Sequence, residues 1–214
     1  MNYVLKLNQK YLKTSSILGF KMTIIARGAE AILKKEGEFL IKERIRKGYR
    51  LPQLDEKLRR SRTKREIELM RIARRSGIKT PQIFSSNENT IKMAFIDGIK
   101  VKDILDKKPQ LCKKIGISIA NMHKFNIIHG DLTTSNMIFK DDEIYFIDFS
   151  LGFQSQKIED KAIDLYLLFE AITSSHEENL WKLILNAYEK NYDKEKKIIK
   201  RLLQIEKRGR YRER

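Results

Sequence analysis

The sequence predicts an α+β fold of two lobes, an antiparallel sheet with one main helix followed by a mainly helical part. Three observations carry that expectation. Between Met22 and Lys42, short apolar runs alternate with turn residues, the pattern of a meander of strands. One strong helical segment, 57–75, separates that meander from two further apolar runs, Gln82-Ile83-Phe84 and 90–95. Beyond Phe95-Ile96-Asp97-Gly98 the apolar spacing lengthens to that of amphipathic helices, at 109–125, 159–172, 177–191 and 194–206.

Taken in order, residues 1–21 carry Leu5, Leu7, Leu12, Ile17 and Leu18 without a period and read as a leader or linker. Their polar, mixed start gives no expectation of a secretory signal. Thr23-Ile24-Ile25-Ala26, Ala31-Ile32-Leu33 and Phe39-Leu40-Ile41-Lys42 then form three antiparallel strands, turning at Arg27-Gly28-Ala29-Glu30 and at Lys35-Glu36-Gly37-Glu38. Ile67, Leu69, Met70, Ile72 and Ala73 make the apolar side of the main helix, and Gly77 to Pro81 ends it. The strands at 82–84 and 90–95 complete a five-stranded sheet. The first lobe therefore spans 22–96, with a hinge at 94–98. The second spans 97–206, with a short helix at 101–105, and a basic tail, 207–214, closes the chain.

The 214 residues suffice for such an arrangement, and 41% hydrophobic with 34% charged content suits a soluble domain. No apolar run approaches the roughly 20 residues of a membrane helix. The single cysteine, Cys112, excludes an intramolecular disulfide and a cysteine-based zinc cluster, which suits the cytoplasm. A formal net charge of +17 favours anionic partners. The main helix concentrates it. Lys57, Arg59, Arg60, Arg62, Lys64, Arg65, Arg71, Arg74 and Arg75 face only Glu66 and Glu68 in that stretch. Arg59, Arg60, Arg62, Arg74 and Arg75 are candidates for RNA or an acidic protein surface. Arg208, Arg210 and Arg212, interleaved with Tyr211, are the corresponding candidates in the tail.

The chemistry concentrates in Ile127-Ile128-His129-Gly130-Asp131-Leu132-Thr133-Thr134-Ser135-Asn136 and Ile144-Tyr145-Phe146-Ile147-Asp148-Phe149-Ser150. Asp131 precedes Asn136 by five residues, and Asp148 follows Asn136 by twelve. The spacing resembles that of protein kinases, where a short loop aims an aspartate at the attacking oxygen. There an asparagine and a second aspartate converge on magnesium bridging the ATP phosphates. Gly28 alone reads as a hairpin turn, and Lys42 alone as a solvated strand end. Together they match a kinase's phosphate-covering turn and phosphate-pairing lysine. For Glu66 two readings stay open. It pairs with Lys42, Glu68 being the alternative carboxylate, or it belongs to a capping box, Thr63-Lys64-Arg65-Glu66. Backbone groups of Ala94 and Ile96 could hold an adenine edge at the hinge. His129 is read as structural, and His123 as a helix-end residue. Asp164 follows Asp148 by only sixteen residues, leaving no room for an activation segment or its Ala-Pro-Glu motif. Asp164 either hydrogen-bonds the catalytic loop from below or is an ordinary charge at a helix start.

A more specific likeness rests on Gly28-Ala29-Glu30-Ala31, Lys42 with Lys47-Gly48-Tyr49-Arg50, Arg62-Thr63 before Glu66, the His129 to Asn136 run, and Arg208-Gly209-Arg210. In these the chain resembles the minimal atypical kinase subunit of the KEOPS complex, from about residue 22 onward. The resemblance implies a minimal bilobal protein-kinase-like fold without an activation segment. It also implies ATP and Mg2+ as cofactors, and weak Ser/Thr kinase or ATPase activity in threonylcarbamoyl-adenosine modification of tRNA. On that family's pattern Asp131 accepts the proton and Asn136 and Asp148 hold the metal. Gly28, Ala29, Glu30, Ala31, Lys42 and Glu66 then serve the nucleotide. The implied partners are a sugar-kinase-like catalytic subunit, a small subunit docking on the first lobe, and tRNA. Some archaeal members are fused to the catalytic subunit, which suits a linker at 1–21. Two positions depart from ordinary kinases: Ser150 stands where glycine follows Asp-Phe, and Thr133 where a lysine follows the catalytic aspartate. A non-catalytic nucleotide- and RNA-binding scaffold and a RIO-like ribosome-assembly kinase are the competing readings.

Overall fold

The computed structural model describes residues 22–192 and 195–210; the leader or linker at 1–21 and Arg212 lie outside them. Strands β1 (Thr23–Arg27), β2 (Ala31–Glu36), β3 (Phe39–Arg44), β4 (Ile83–Ser86) and β5 (Thr90–Ala94) form one antiparallel sheet in the order β1-β2-β3-β5-β4. A two-residue turn joins β2 to β3, and Gly37 takes it at φ 58°, a backbone that side chains resist. The register sets Leu33 and Ile91 on either side of Lys42, so β3 carries its lysine between apolar neighbours.

Helix α1 (Pro52–Arg75) begins five residues before the expected 57, on a proline, which favours the first helical position. Thr63 therefore lies inside the helix, and its hydroxyl donates to the Arg59 carbonyl at 2.9 Å. This overturns the capping-box reading of Glu66. At the other end Gly77 (φ 80°) turns the chain back, and the Ile78 amide donates to the Ala73 carbonyl at 2.9 Å. Packing divides the described chain into two units, with boundaries at Thr63/Lys64, Pro81/Gln82 and Phe95/Ile96.

In the second unit β6 (Ile99–Lys100), β8 (Met137–Lys140) and β9 (Glu143–Phe146) form a three-stranded sheet, while β7 (Ile127–Ile128) pairs with β10 (Phe153–Gln154). Asp141 and Asp142, both at positive φ, make the tight turn from β8 to β9. The core lies among α2 (Leu111–Lys124), α3 (Ile158–Ser175), α4 (Asn179–Lys190) and α5 (Glu195–Arg210), where Ile115, Ile119, Met122, Leu165, Leu168, Ile184 and Tyr188 are fully buried. Helices α2 and α4 meet at Gly116, where a Cβ would stand 2.3 Å from the Ile184 carbonyl oxygen.

Two further elements differ from expectation. The short helix at 101–105 is a 3-10 turn, Val101–Asp103. Helix α5 runs on to Arg210, so the stretch expected as a tail from 207 is helical that far. Among the described residues no helix is long and apolar enough to cross a membrane.

Candidate active site

The site is built on one buried carboxylate. Asp164, in α3, is fully buried; it accepts the His129 amide at 2.9 Å and the Gly130 amide at 2.8 Å, one on each oxygen. His123 Nε2 stands 3.4 Å from it, while His123 Nδ1 meets the Tyr188 hydroxyl at 2.9 Å. Burial pushes the Asp164 carboxyl up, but the His123 hydrogen bond and charge, the His129 charge and the His129 amide outweigh it. The net result lies below the ordinary carboxylate value. Asp164 thus holds the loop from beneath. His123 is not a mere helix end, because it is buried as part of that support.

Gly130 is required where it stands. Its φ is +77°, and a Cβ there would lie 2.5 Å from the Leu151 carbonyl oxygen. The chain can then turn into Asp131 directly above its anchor. A 3-10 turn, Thr134–Asn136, returns Asn136 to Asp131: the Asn136 Nδ2 group donates to the Asp131 carbonyl at 2.9 Å and to its Oδ2 at 2.8 Å. The Ile147 amide donates to the Asn136 carbonyl at 3.0 Å, tying the loop to the residue before Asp148. His129 Nε2 donates to the Ile147 carbonyl at 3.1 Å, and its ring packs 4.6 Å from that of Phe149. This is the structural role expected of His129.

Asp148 has φ 63°, a left-handed backbone costly for a non-glycine residue and typical of sites that store strain for function. Ser150 explains part of how it is held. The Ser150 hydroxyl lies 2.5 Å from Asp148 Oδ1 and 3.4 Å from Glu66 Oε2, and the Ser150 amide donates to the same Asp148 oxygen at 3.3 Å. Glu66, 1% exposed, is thereby brought beside the Asp148 segment.

A second support escaped the sequence. His176 Nδ1 bonds to Asp106 at 2.8 Å and its Nε2 to the Thr134 hydroxyl at 3.0 Å, and Asp106 also takes the Glu177 amide at 3.1 Å. The His176 hydrogen bond holds the Asp106 carboxyl below its ordinary range against a smaller burial penalty. Sequence separations of 42 and 70 residues leave no local pattern to read.

Of the remaining candidates, Gly28 to Ala31, Lys42, Ala94, Arg59, Arg60 and Arg62 belong to the first unit, and Ile96, Arg74, Arg75 and Arg208 to the second. The Gly28 amide donates to the Ala31 carbonyl at 2.9 Å, closing the turn, and the Lys47 ammonium bonds the Ala29 carbonyl. Lys42 is 6% exposed. The Ala94 amide is committed to the Gln82 carbonyl at 2.8 Å, and the Ile96 carbonyl to the Gly98 amide at 3.1 Å. Several arginines of α1 have carboxylates that the helix sequence did not reveal. Arg59 pairs with buried Asp55 at 2.7 Å, Arg60 with Glu88 at 3.0 Å, and Arg62 with Glu30 at 2.6 Å. Arg74 donates to the Thr80 carbonyl at 3.2 Å, while Arg75 and Arg208 are exposed.

A glycine turn and a buried strand lysine in a five-stranded sheet, with an Asp-Asn loop and a following left-handed aspartate on a helical scaffold, define a protein-kinase-like protein. Comparisons with known proteins narrow this. Residues 34–167 match the RIO domain family. A Pyrococcus abyssi protein named KEOPS complex subunit Bud32 is 38% identical, over 90% of this chain and 98% of its own. An Archaeoglobus fulgidus protein named a probable serine/threonine-protein kinase BUD32 homolog is 38% identical, over 87% of this chain and 95% of its own. The chain belongs to the RIO-domain family and, within it, to the Bud32 group. It is also 39% identical to a Methanocaldococcus jannaschii protein named a probable bifunctional tRNA threonylcarbamoyladenosine biosynthesis protein. There the match covers 88% of this chain but only 37% of the relative. Among solved structures, the streptomycin–ATP–APH(2")-IIa ternary complex aligns with a TM-score of 0.62 at 14% identity, covering 90% of this chain and 82% of that one. The Chaetomium thermophilum Rio2 kinase in an ADP/Mg2+-phosphoaspartate complex aligns at 0.58 and 15%, covering 87% and 70%. At such identities these establish the fold.

Proposed function

We propose that the chain binds ATP with magnesium and acts as a slow Ser/Thr kinase or ATPase within an assembly that makes threonylcarbamoyl-adenosine in tRNA. The observation that carries this reading is the Asp131–Asn136 pair. Because Asn136 Nδ2 is committed to Asp131, the amide's rotation is fixed and its Oδ1 is the atom left to ligate a metal. With the Asp148 carboxylate this makes a hard oxygen donor set, which suits magnesium completed by phosphate oxygens and water. When bound, the metal neutralises charge on the phosphates.

Each residue then has a task. Asp131 takes the proton of the attacking hydroxyl or water. Lys42 pairs with the phosphates under the turn Gly28 to Ala31, and Glu66 orients Lys42. The adenine edge would use the Ala94 carbonyl and Ile96 amide, which the two backbone bonds above do not engage. Thr133 leaves the transferring phosphate without the lysine an ordinary kinase supplies, which favours slow turnover. The relatives' names favour other KEOPS subunits as partners; on the family's pattern these would be the sugar-kinase-like catalytic subunit and a small subunit on the first lobe. For tRNA phosphates, Arg74, Arg75 and Arg208 are better placed than Arg59, Arg60 and Arg62, whose charges are matched within the protein.

The test is ATP turnover with magnesium, alone and with the catalytic partner and tRNA. Asp131→Ala and Lys42→Ala should each lower turnover by roughly a hundredfold or more. Equal rates in all three proteins would overturn the enzymatic reading. A non-catalytic scaffold has one observation in its favour, the Ser150 hydroxyl already bonded to Asp148. It predicts ATP binding without turnover under every condition.

A further inference from the structure

Where α3 begins, the second unit holds a cavity of about 790 Å³ whose lining includes Lys124, Lys161, Lys196 and Lys197 with Asn126 and Tyr192. It is lined by none of the catalytic residues, and no described carboxylate lines it. The two acids of the first turn of α3 are engaged elsewhere: Glu159 with Arg201, and Asp160 with the Ser155 hydroxyl.

Lys161 is the unusual member. It is only 4% exposed, yet its ammonium donates to two neutral oxygens, Asn126 Oδ1 at 2.9 Å and the Tyr192 hydroxyl at 3.0 Å. The Tyr192 ring, 5.5 Å from Nζ, adds a weak attraction. Burying an ammonium against neutral partners is costly, and a third N–H remains to be satisfied. A concave site of this size, lined by four ammonium groups, matches a compact ligand with clustered negative charge.

We infer that this cavity is a binding site for a compact polyphosphorylated small molecule, independent of the chemistry at Asp131. Lys161 forms its floor and Lys196 and Lys197, both exposed, its rim. The probe is inositol hexakisphosphate, titrated by calorimetry into the full chain saturated with ADP and magnesium, so that the nucleotide site is occupied. One saturable site is expected. Lys196→Gln/Lys197→Gln should weaken it by roughly tenfold or more. Lys107→Gln/Lys113→Gln, an equal change of charge on exposed lysines outside the cavity, should change it less than about twofold. Lys161→Met should abolish it. The rim variant, which touches no buried group, should unfold at the wild-type temperature and so carries the test if Lys161→Met fails to fold. The inference is overturned by absence of saturable binding, by equal weakening in the two double variants, or by a site filled only by an RNA oligonucleotide. Asp193 and Glu195 adjoin the lining in sequence. Binding that appears only in Asp193→Asn would likewise overturn it, by showing that the lysines already have their counter-charge.

Discussion

At the scale of single residues, Ser150 and Asp164 have opposite effects on the site. Ser150 draws on Asp148 by donating to the oxygen a metal would use. Ser150→Gly should therefore lower the magnesium concentration for half-maximal turnover by roughly tenfold or more, the worth of one hydrogen bond to a charged group. A magnesium titration of ATP turnover measures this, and an unchanged midpoint would show that the hydroxyl releases Asp148 at no cost. Asp164 supports by accepting two consecutive amides. Asp164→Asn replaces one acceptor with a donor facing an N–H, and should cost roughly 2–4 kcal/mol in urea unfolding. Its pH dependence follows from the depressed carboxyl. A group whose folded pKa lies below its unfolded value stabilises the fold above that unfolded value, and the stabilisation is lost as pH falls through the folded one. Asp164 and Asp106 are both of this kind. The urea midpoint should stay level from about pH 7 to 5 and fall below about pH 4. In Asp164→Asn the acid decline should be shallower.

At the scale of elements, two glycines separate packing from ligand approach. Gly116 lets α2 and α4 touch, and Gly116→Ala must push a Cβ into the Ile184 carbonyl, costing about 2–3 kcal/mol. Gly28 is different. A Cβ there would meet only the Ala31 carbonyl oxygen, at 3.5 Å, an ordinary contact. Gly28→Ala should unfold within about 0.5 kcal/mol of wild type, while raising KM for ATP if the turn covers the phosphates. Thermal unfolding and turnover on the same two variants distinguish the effects. The elements themselves were legible because their periods differ: alternating strands up to Lys42, then helices with apolar residues three and four apart. What was not legible was the start of α1. Leu51-Pro52-Gln53-Leu54 shows no helical period, and the signal is Pro52 as first residue with Asp55 one turn in, buried against Arg59. Missing that start made Thr63 look like a cap.

For the molecule as a whole, the proposed catalytic residues follow a local pattern, whereas the supports of their loop are long-range. Spacing alone singled out Asp131, Asn136 and Asp148, and the structure joins the first two directly, Asn136 Nδ2 to Asp131 Oδ2 at 2.8 Å. Asp106 and His176 could not, because neither belongs to a sequence pattern and their bonds span the second unit. The charge was half legible. A net +17 is correct as a sum, but Glu30, Asp55 and Glu88 approach the arginines of α1 from other elements or its own first turn, so the helix is less one-signed than residues 57–75 imply. Any tRNA affinity should thus depend on salt through Arg74, Arg75 and Arg208 more than through Arg59 or Arg62. Substituting the first group should flatten the slope of log K against log salt by nearly one for each phosphate no longer neutralised, and substituting the second should leave it.

The short ladder between β7 and β10 has a consequence for how the site could be switched. Phe153 and Gln154 pair with Ile128 and Ile127, directly before the loop that carries Asp131 and Asn136. The chain after Asp148 is therefore stitched to the strand that delivers His129, where an ordinary kinase has a segment free to order and disorder. Amide protons on both sides of that ladder should exchange with deuterium together, at one rate, whether or not nucleotide is present. Among the described residues, the stretch from Asp148 to α3 therefore offers no loop to arm. The protein's activity would be set by which partners and ligands are at hand, a matter of supply and not of a latch.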